Sequence, residues 1–146
     1  MKIVDLNPEK TLFLSPAIDD WSILEEHEIS VVIDLEGDLD SGCPTNPGKM
    51  LYVYLPIYDE ELPDLHKLHA VAELAASMVR SGKRVLSHCG MGFNRSALVA
   101  GLVLVRNGMS GREAVEHLRS RRPGALFNEV FAEYLASLPA GLPEQR

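Results

Sequence analysis

Apolar residues along this chain fall into two alternating patterns, short unbroken runs of strand length and longer stretches in which they recur every three or four positions. Thr11–Leu14 and Ile29–Leu35 are runs of the first kind, and Ala17–Glu28 between them has apolar positions at helical spacing. Gly37–Lys49 is rich in Gly, Pro, Asp and Asn and reads as a loop. Leu51–Pro56 then reads as an aromatic and aliphatic strand stopped by Pro56. From Asp64 the spacing turns helical through Leu65, Leu68, Val71 or Ala72, Leu74 or Ala75, and Met78, with Gly82 placed to end the helix. Lys83–Ser87 returns to the sheet. Arg95–Arg106 is apolar on nearly every side and so predicts a buried helix ended by Gly108. Ser110 with Glu113 forms a capping-box pattern that starts a further helix, and a last one begins near Asn128 and runs to Leu138. Strands and helices that take turns in this way predict an α/β fold: a central, mostly parallel sheet of four to five strands flanked by helices.

Size adds that one core suffices. With 146 residues, 46% of them hydrophobic, the expectation is a single domain over 1–146. No internal repeat or linker divides it. The apolar run within Met1–Leu14 is too short for a signal peptide and is interrupted by Asp5 and Glu9. The two cysteines, Cys43 and Cys89, do not suggest a disulfide framework, so a reducing, cytoplasmic setting is expected. The net charge of −7 argues against nucleic acid or an anionic membrane as the main partner, and a monomer is favoured. Charge is uneven. Residues 1–79 hold 4 basic against 16 acidic side chains, and residues 80–146 hold 10 against 5, mostly Arg. Apart from Arg95, those arginines are read as a solvated surface.

The chemistry is concentrated in the basic half, where Lys83–Ser96 runs from strand through glycine-containing loop into buried helix. Backbone N–H groups at a helix start lack partners and sit at the positive end of the helix dipole, so such a loop holds a phosphoryl group well. Gly90 and Gly92 let the main chain of Gly90, Met91, Gly92, Phe93 and Asn94 turn its amides inward. Cys89, at the strand end, would aim its sulfur at the bound phosphorus, and the field that binds phosphate also favours a thiolate. Arg95 follows six positions later, where a guanidinium can fork onto two phosphoryl oxygens. Ser96 can donate a hydrogen bond to sulfur as it leaves. His88 is read as a brace for the loop, since a thiolate formed in advance needs no base.

The string His88-Cys89-Gly90-Met91-Gly92-Phe93-Asn94-Arg95-Ser96 resembles the H-C-x-x-G-x-x-R-S signature of the protein tyrosine phosphatase superfamily. In length and order the rest of the chain is similar to the small dual-specificity phosphatases. The resemblance implies a cysteine phosphatase-like fold and hydrolysis of phosphotyrosine, and of phosphoserine or phosphothreonine, in phosphorylated proteins through a phosphocysteine. It implies no cofactor and no metal. It makes Cys89 the nucleophile, Arg95 the phosphate clamp and Ser96 the residue that assists hydrolysis of the phosphocysteine. It also implies a general acid on the loop after the preceding strand. Asp59 is the choice there, with Glu60, Glu61 and Asp64 as competitors and no W-P-D string to decide. Asn128 matches a position near the phosphate loop and is read first as a helix cap.

Other readings keep a place. A non-protein substrate is one: a phosphoinositide, a lipid phosphate or an RNA 5′ end. A phosphate-binding module without catalysis is another, and sulfur or arsenate chemistry is a third, arsenate reduction needing Cys43 as a resolving thiol. Cys43 is otherwise a loop or core residue. His66 and His69 lie one helical turn apart, but two ligands without a third are weak grounds for a metal, and an exposed helix face is expected for both. Glu36–Lys49, Tyr58 and Phe93 are expected to wall the pocket.

Overall fold

The computed structural model describes residues 1–141. In chain order the elements are β1 (Val4–Asp5), β2 (Leu12–Ser15), α1 (Trp21–Glu26), β3 (Val31–Asp34), β4 (Leu51–Tyr54), α2 (Leu65–Arg80), β5 (Val85–His88), α3 (Arg95–Arg106), α4 (Gly111–Arg121) and α5 (Glu129–Ala136). The five strands form one sheet in the order β1-β2-β5-β3-β4, parallel throughout except at the β1–β2 edge. This is the expected mostly parallel sheet flanked by helices. β1 is the addition: two residues show no readable period, and they are recruited by antiparallel pairing with Phe13 and Leu14.

Side-chain alternation along the strands sorts the core into two faces. Leu12, Leu14, Val31, Ile33 and Val85 point to one side and pack with residues of α2, α3, α4 and α5. Phe13, Val32 and Leu86 point to the other and pack with Leu24 of α1 and with Ile29. β5 lies at the centre, in register with β2 (Val85 opposite Leu12) and with β3 (Val85 opposite Val31). All four of its residues are buried. The same alternation sends Ser87 toward α3, where its hydroxyl donates to the Ser96 carbonyl at 2.9 Å, and His88 toward the opposite face.

α3 is buried from Ser96 to Val105, as its lack of a polar face predicts. Gly101 allows this: a Cβ there would stand 2.3 Å from a Leu135 methyl, so the close approach of α3 to α5 needs a residue without a side chain. Ser110 and Glu113 form the reciprocal capping box at the start of α4. Asp64 caps α2 by accepting from the Lys67 amide.

Two surface expectations are corrected. His66 is exposed, but His69 is only 6% exposed. Three helical positions leave the two about 60° apart around α2, and the second falls on the covered side with Leu68, Ala72 and Ala76. Its Nε2 pairs with the Tyr134 hydroxyl and its Nδ1 lies 3.2 Å from Arg106 Nη2. Arg106 is itself not a solvated arginine: its side chain is 3% exposed and donates to Glu73 at 2.7 Å.

Burial, and then the Arg106 charge, hold the His69 imidazole below its ordinary value of 6.5. The folded chain therefore resists a proton that the unfolded chain takes up as pH falls below that value. Stability present above it declines on acidification. The melting temperature should fall more steeply between about pH 7 and pH 5 in the wild type than in His69→Gln. Parallel slopes in calorimetry would remove His69 as the cause.

Candidate active site

The register of β5 delivers His88 opposite Ser15 and Asp34, so Cys89 emerges at the C-terminal edge of the sheet, between two neighbouring strands. Cys89 is 2% exposed and lies at the floor of the loop that leads into α3. The Gly92 amide donates to its Sγ at 3.3 Å, and Ser96 Oγ lies 3.2 Å from the same sulfur. Gly92 has φ +74, and a Cβ there would stand 2.8 Å from the Pro16 nitrogen and 3.0 Å from the Ser15 carbonyl carbon. Only glycine meets both conditions.

The loop carbonyls are held on the outside. The Ala17 amide donates to the Gly90 carbonyl at 3.2 Å. Arg122 donates from Nη2 to the Met91 carbonyl at 3.0 Å and from Nε to the Gly92 carbonyl at 3.3 Å, with its guanidinium 4.1 Å over the Phe93 ring. In planar trans peptides the N–H opposes the carbonyl, so the amides of Met91, Gly92 and Phe93 face the other way, toward the sulfur side. Arg122 is therefore part of the loop's support and not a plain surface arginine, a contact across 30 residues that no local pattern announces.

Arg95 opens α3 with its side chain 17% exposed. Its Nη1 approaches the Ile57 carbonyl at 3.5 Å and its Nη2 lies 4.0 Å from Glu36 Oε1. Its buried Nε has no partner. The guanidinium thus sits over the loop with donor capacity to spare. The Glu36 carboxylate rests against Gly90, where a Cβ would come within 2.8 Å of it.

Behind the loop, His88 is held by carboxylates that the sequence reading did not name. Its Nε2 lies 2.7 Å from Asp40 and 3.6 Å from Asp34. Tyr52 donates its hydroxyl proton to Asp34 and accepts from the Asp40 amide at 2.8 Å. Burial pushes the Asp34 carboxyl above the usual range against the pull of the Tyr52 bond, and burial together with Asp34 pushes the Tyr52 phenol up. Asp34, a lone charge in the apolar run Val31–Leu35, was the readable signal. Asp34, Asp40 and His88 place one donor atom each within 4.8 Å of one another, the one such set among the described residues, and these atoms are engaged with each other and with Tyr52.

Of the four acidic candidates, Asp59 meets the phosphate loop. Its Oδ2 accepts from the Asn94 side-chain amide at 2.9 Å and its Oδ1 from that of Asn128 at 2.8 Å. Asp64 is occupied in capping α2. Asn128 caps α5 as expected, accepting from the Phe131 amide at 3.3 Å. Tyr58 is 84% exposed. The Phe93 ring packs on Arg122 and, at 5.9 Å, on Phe127. Cys43 is half-buried in the β3–β4 loop, its thiol pushed up by burial and then by Asp40.

The family model described as dual specificity phosphatase, catalytic domain, matches residues 12–138. The chain is 25% identical over 134 residues to dual specificity protein phosphatase 1 of Arabidopsis thaliana, covering 89% of this chain and 66% of that protein. It is 27% identical over 128 residues to protein phosphatase Slingshot homolog 3 of Mus musculus, covering 84% of this chain and 19% of that protein. The chain thus spans just under two thirds of the first relative and a fifth of the second. Among solved structures, human DUSP28 superposes with a TM-score of 0.76 at 26% identity, over 91% of this chain and 89% of that one. With a matched family model spanning β2 to beyond α5 and the signature loop folded around Cys89, the chain belongs to the dual-specificity phosphatase catalytic-domain family.

Proposed function

We propose that the protein is a cysteine-dependent phosphomonoester hydrolase acting on phosphorylated proteins. What supports this is the set of contacts around one loop: the Gly92 amide on the Cys89 sulfur, Asp59 bonded to the loop residue Asn94, and Arg95 at the loop's end with a buried Nε that has no partner. Cys89 Sγ attacks phosphorus in line, forming the S–P bond as the bond to the leaving oxygen breaks, and Asp59 transfers its proton to that oxygen. Water then attacks phosphorus, Asp59 takes its proton, and the S–P bond breaks with Ser96 Oγ positioned to donate to the departing sulfur. Arg95 and the amides of Gly90, Met91, Gly92, Phe93 and Asn94 bind the equatorial oxygens and meet the charge that develops on them. His88, clamped to Asp40, and Asn128 support the loop and the acid.

The choice of phosphoprotein over phosphoinositide rests on charge. Between Cys89 and Arg95 the loop contains no basic side chain, the Arg122 guanidinium beside it is engaged by the Met91 and Gly92 carbonyls, and the Glu36 carboxylate lies 4.0 Å from Arg95. A ligand bearing several phosphates would find one clamp and a repelling wall. No helix among the described residues is long and apolar enough to cross a membrane. Residues 1–146 act in this reading as one catalytic unit in the cytoplasm.

Positive charge is supplied by Arg95 and the helix start, so turnover of para-nitrophenyl phosphate should persist undiminished in EDTA. Phosphotyrosine peptides should outcompete inositol phosphates in a side-by-side panel. Loss of turnover in EDTA would overturn the metal-independent mechanism, and preference for an inositol polyphosphate would overturn the substrate class.

A further inference from the structure

Asn94 occupies the N-cap position of α3, and Asn is among the residues best suited to cap, yet its side chain makes no capping bond. Instead it points out of the loop. Its Nδ2 donates to Asp59 Oδ2 at 2.9 Å, and its Oδ1 accepts from the Asn128 backbone amide at 2.9 Å. Asn128 closes the circuit, donating from Nδ2 to Asp59 Oδ1 at 2.8 Å and to the Glu60 carbonyl at 3.2 Å while its Oδ1 caps α5. Three segments distant in sequence, the β4–α2 loop, the phosphate loop and the start of α5, are thereby tied at one point. Asn94 is 2% exposed, so these bonds are sheltered from competing water.

We propose that Asn94 is the positioning residue of the acid, a part of the phosphate loop that reaches up to hold Asp59, with Asn128 completing a two-point clamp. The proposal rests on the reading of Asp59 as the general acid. Two amide donors on the two oxygens of one carboxyl group fix both its position and the orientation of its plane. Each oxygen keeps a second lone pair, so the proton to be transferred still has a place. Diverting the Asn94 side chain also leaves the first-turn amides of α3 uncapped and free for the phosphate. Asp59 stands on an exposed loop segment between Tyr58 and Glu60, and within this network its orientation comes from these two bonds.

The test compares kcat/KM for a phosphotyrosine peptide, whose leaving phenol needs a proton, with that for an activated aryl phosphate, whose phenol departs unassisted. Asp59→Asn should reduce the peptide rate by roughly 10²–10⁴-fold and the activated substrate much less. Asn94→Ala should reproduce the same selective loss at roughly 10–10²-fold, the scale of a misplaced catalytic group. In the Asp59→Asn background it should add no further selectivity, because there is no acid left to position. Asn128→Ser keeps a capping side chain for α5 but removes the donor to Asp59, and it should shift the ratio in the same direction. It decides the matter if Asn94→Ala does not fold. If Asp59→Asn is selective but neither Asn variant is, or if Asn94→Ala slows both substrates equally, the clamp is wrong and the acid stands. If Asp59→Asn is itself unselective, the acid assignment fails and the clamp with it.

Discussion

Cys89→Ser should leave the protein folded and without measurable turnover. The substitution exchanges one small buried atom for another at a position where the Gly92 amide and Ser96 Oγ remain available as partners, so stability should change by no more than about 1 kcal/mol. Chemistry is another matter. A serine hydroxyl in this site stays protonated, no base stands ready to remove its proton, and His88 is turned away to Asp40 on the far side of the loop. The loss should be on the order of 10⁴-fold or more in kcat. Binding of a phosphopeptide should survive, because the amides and Arg95 are untouched, and the variant should capture the substrate it cannot hydrolyse. Hydrolysis near the wild-type rate, with the fold intact by circular dichroism, would end the covalent mechanism.

Arg95→Lys should be nearly as damaging, although the formal charge is kept. The guanidinium presents a planar fork, and with Nη1 on the Ile57 carbonyl its Nη2 and unpaired Nε remain to meet phosphoryl oxygens. An ammonium is a point charge that can meet one oxygen well. In other phosphoryl-transfer enzymes an arginine on the transferring group is worth roughly 10³–10⁵-fold in kcat, and lysine should recover only a small part of it. Steady-state kinetics should show the loss mainly in kcat, with a smaller rise in KM, because the equatorial oxygens draw closest to the fork in the transition state. An Arg95→Lys enzyme within tenfold of the wild type would mean that the amides alone carry the charge.

What could be read from the sequence was whatever depends on neighbours in the chain. The run from Val85 to Arg106 carried strand, turn and buried helix in one unbroken pattern, and the phosphate loop lies inside it. The Ser110–Glu113 box is legible for the same reason, since capping is a matter of three residues. Relations that cross the chain were not legible. Asn94 was read through its backbone alone, because nothing local says that its side chain will reach Asp59, 35 positions earlier. The same holds for Arg122 on the Met91 and Gly92 carbonyls, and for Asp40 on His88. The burial of His69 and Arg106 is illegible because what covers each comes from other helices, Tyr134 of α5 and Arg106 of α3 on His69, and Glu73 of α2 on Arg106. Asp34 lay between: a carboxylate amid Val31, Val32, Ile33 and Leu35 has to find a buried partner, but the pattern could not say that the partner was Tyr52.

The central claim is that phosphate passes through the sulfur of Cys89, and rapid acid quench of the enzyme during turnover of a phosphotyrosine peptide tests it most directly. The denatured protein, digested and analysed by mass spectrometry, should contain one phosphoryl group on the peptide carrying Cys89. The modification should withstand alkali, as an S-phosphate dianion that repels hydroxide does, and it should be absent from Cys89→Ser. Turnover with no phosphoenzyme at any quench time, or a phosphoryl group on a residue other than Cys89, would contradict the account.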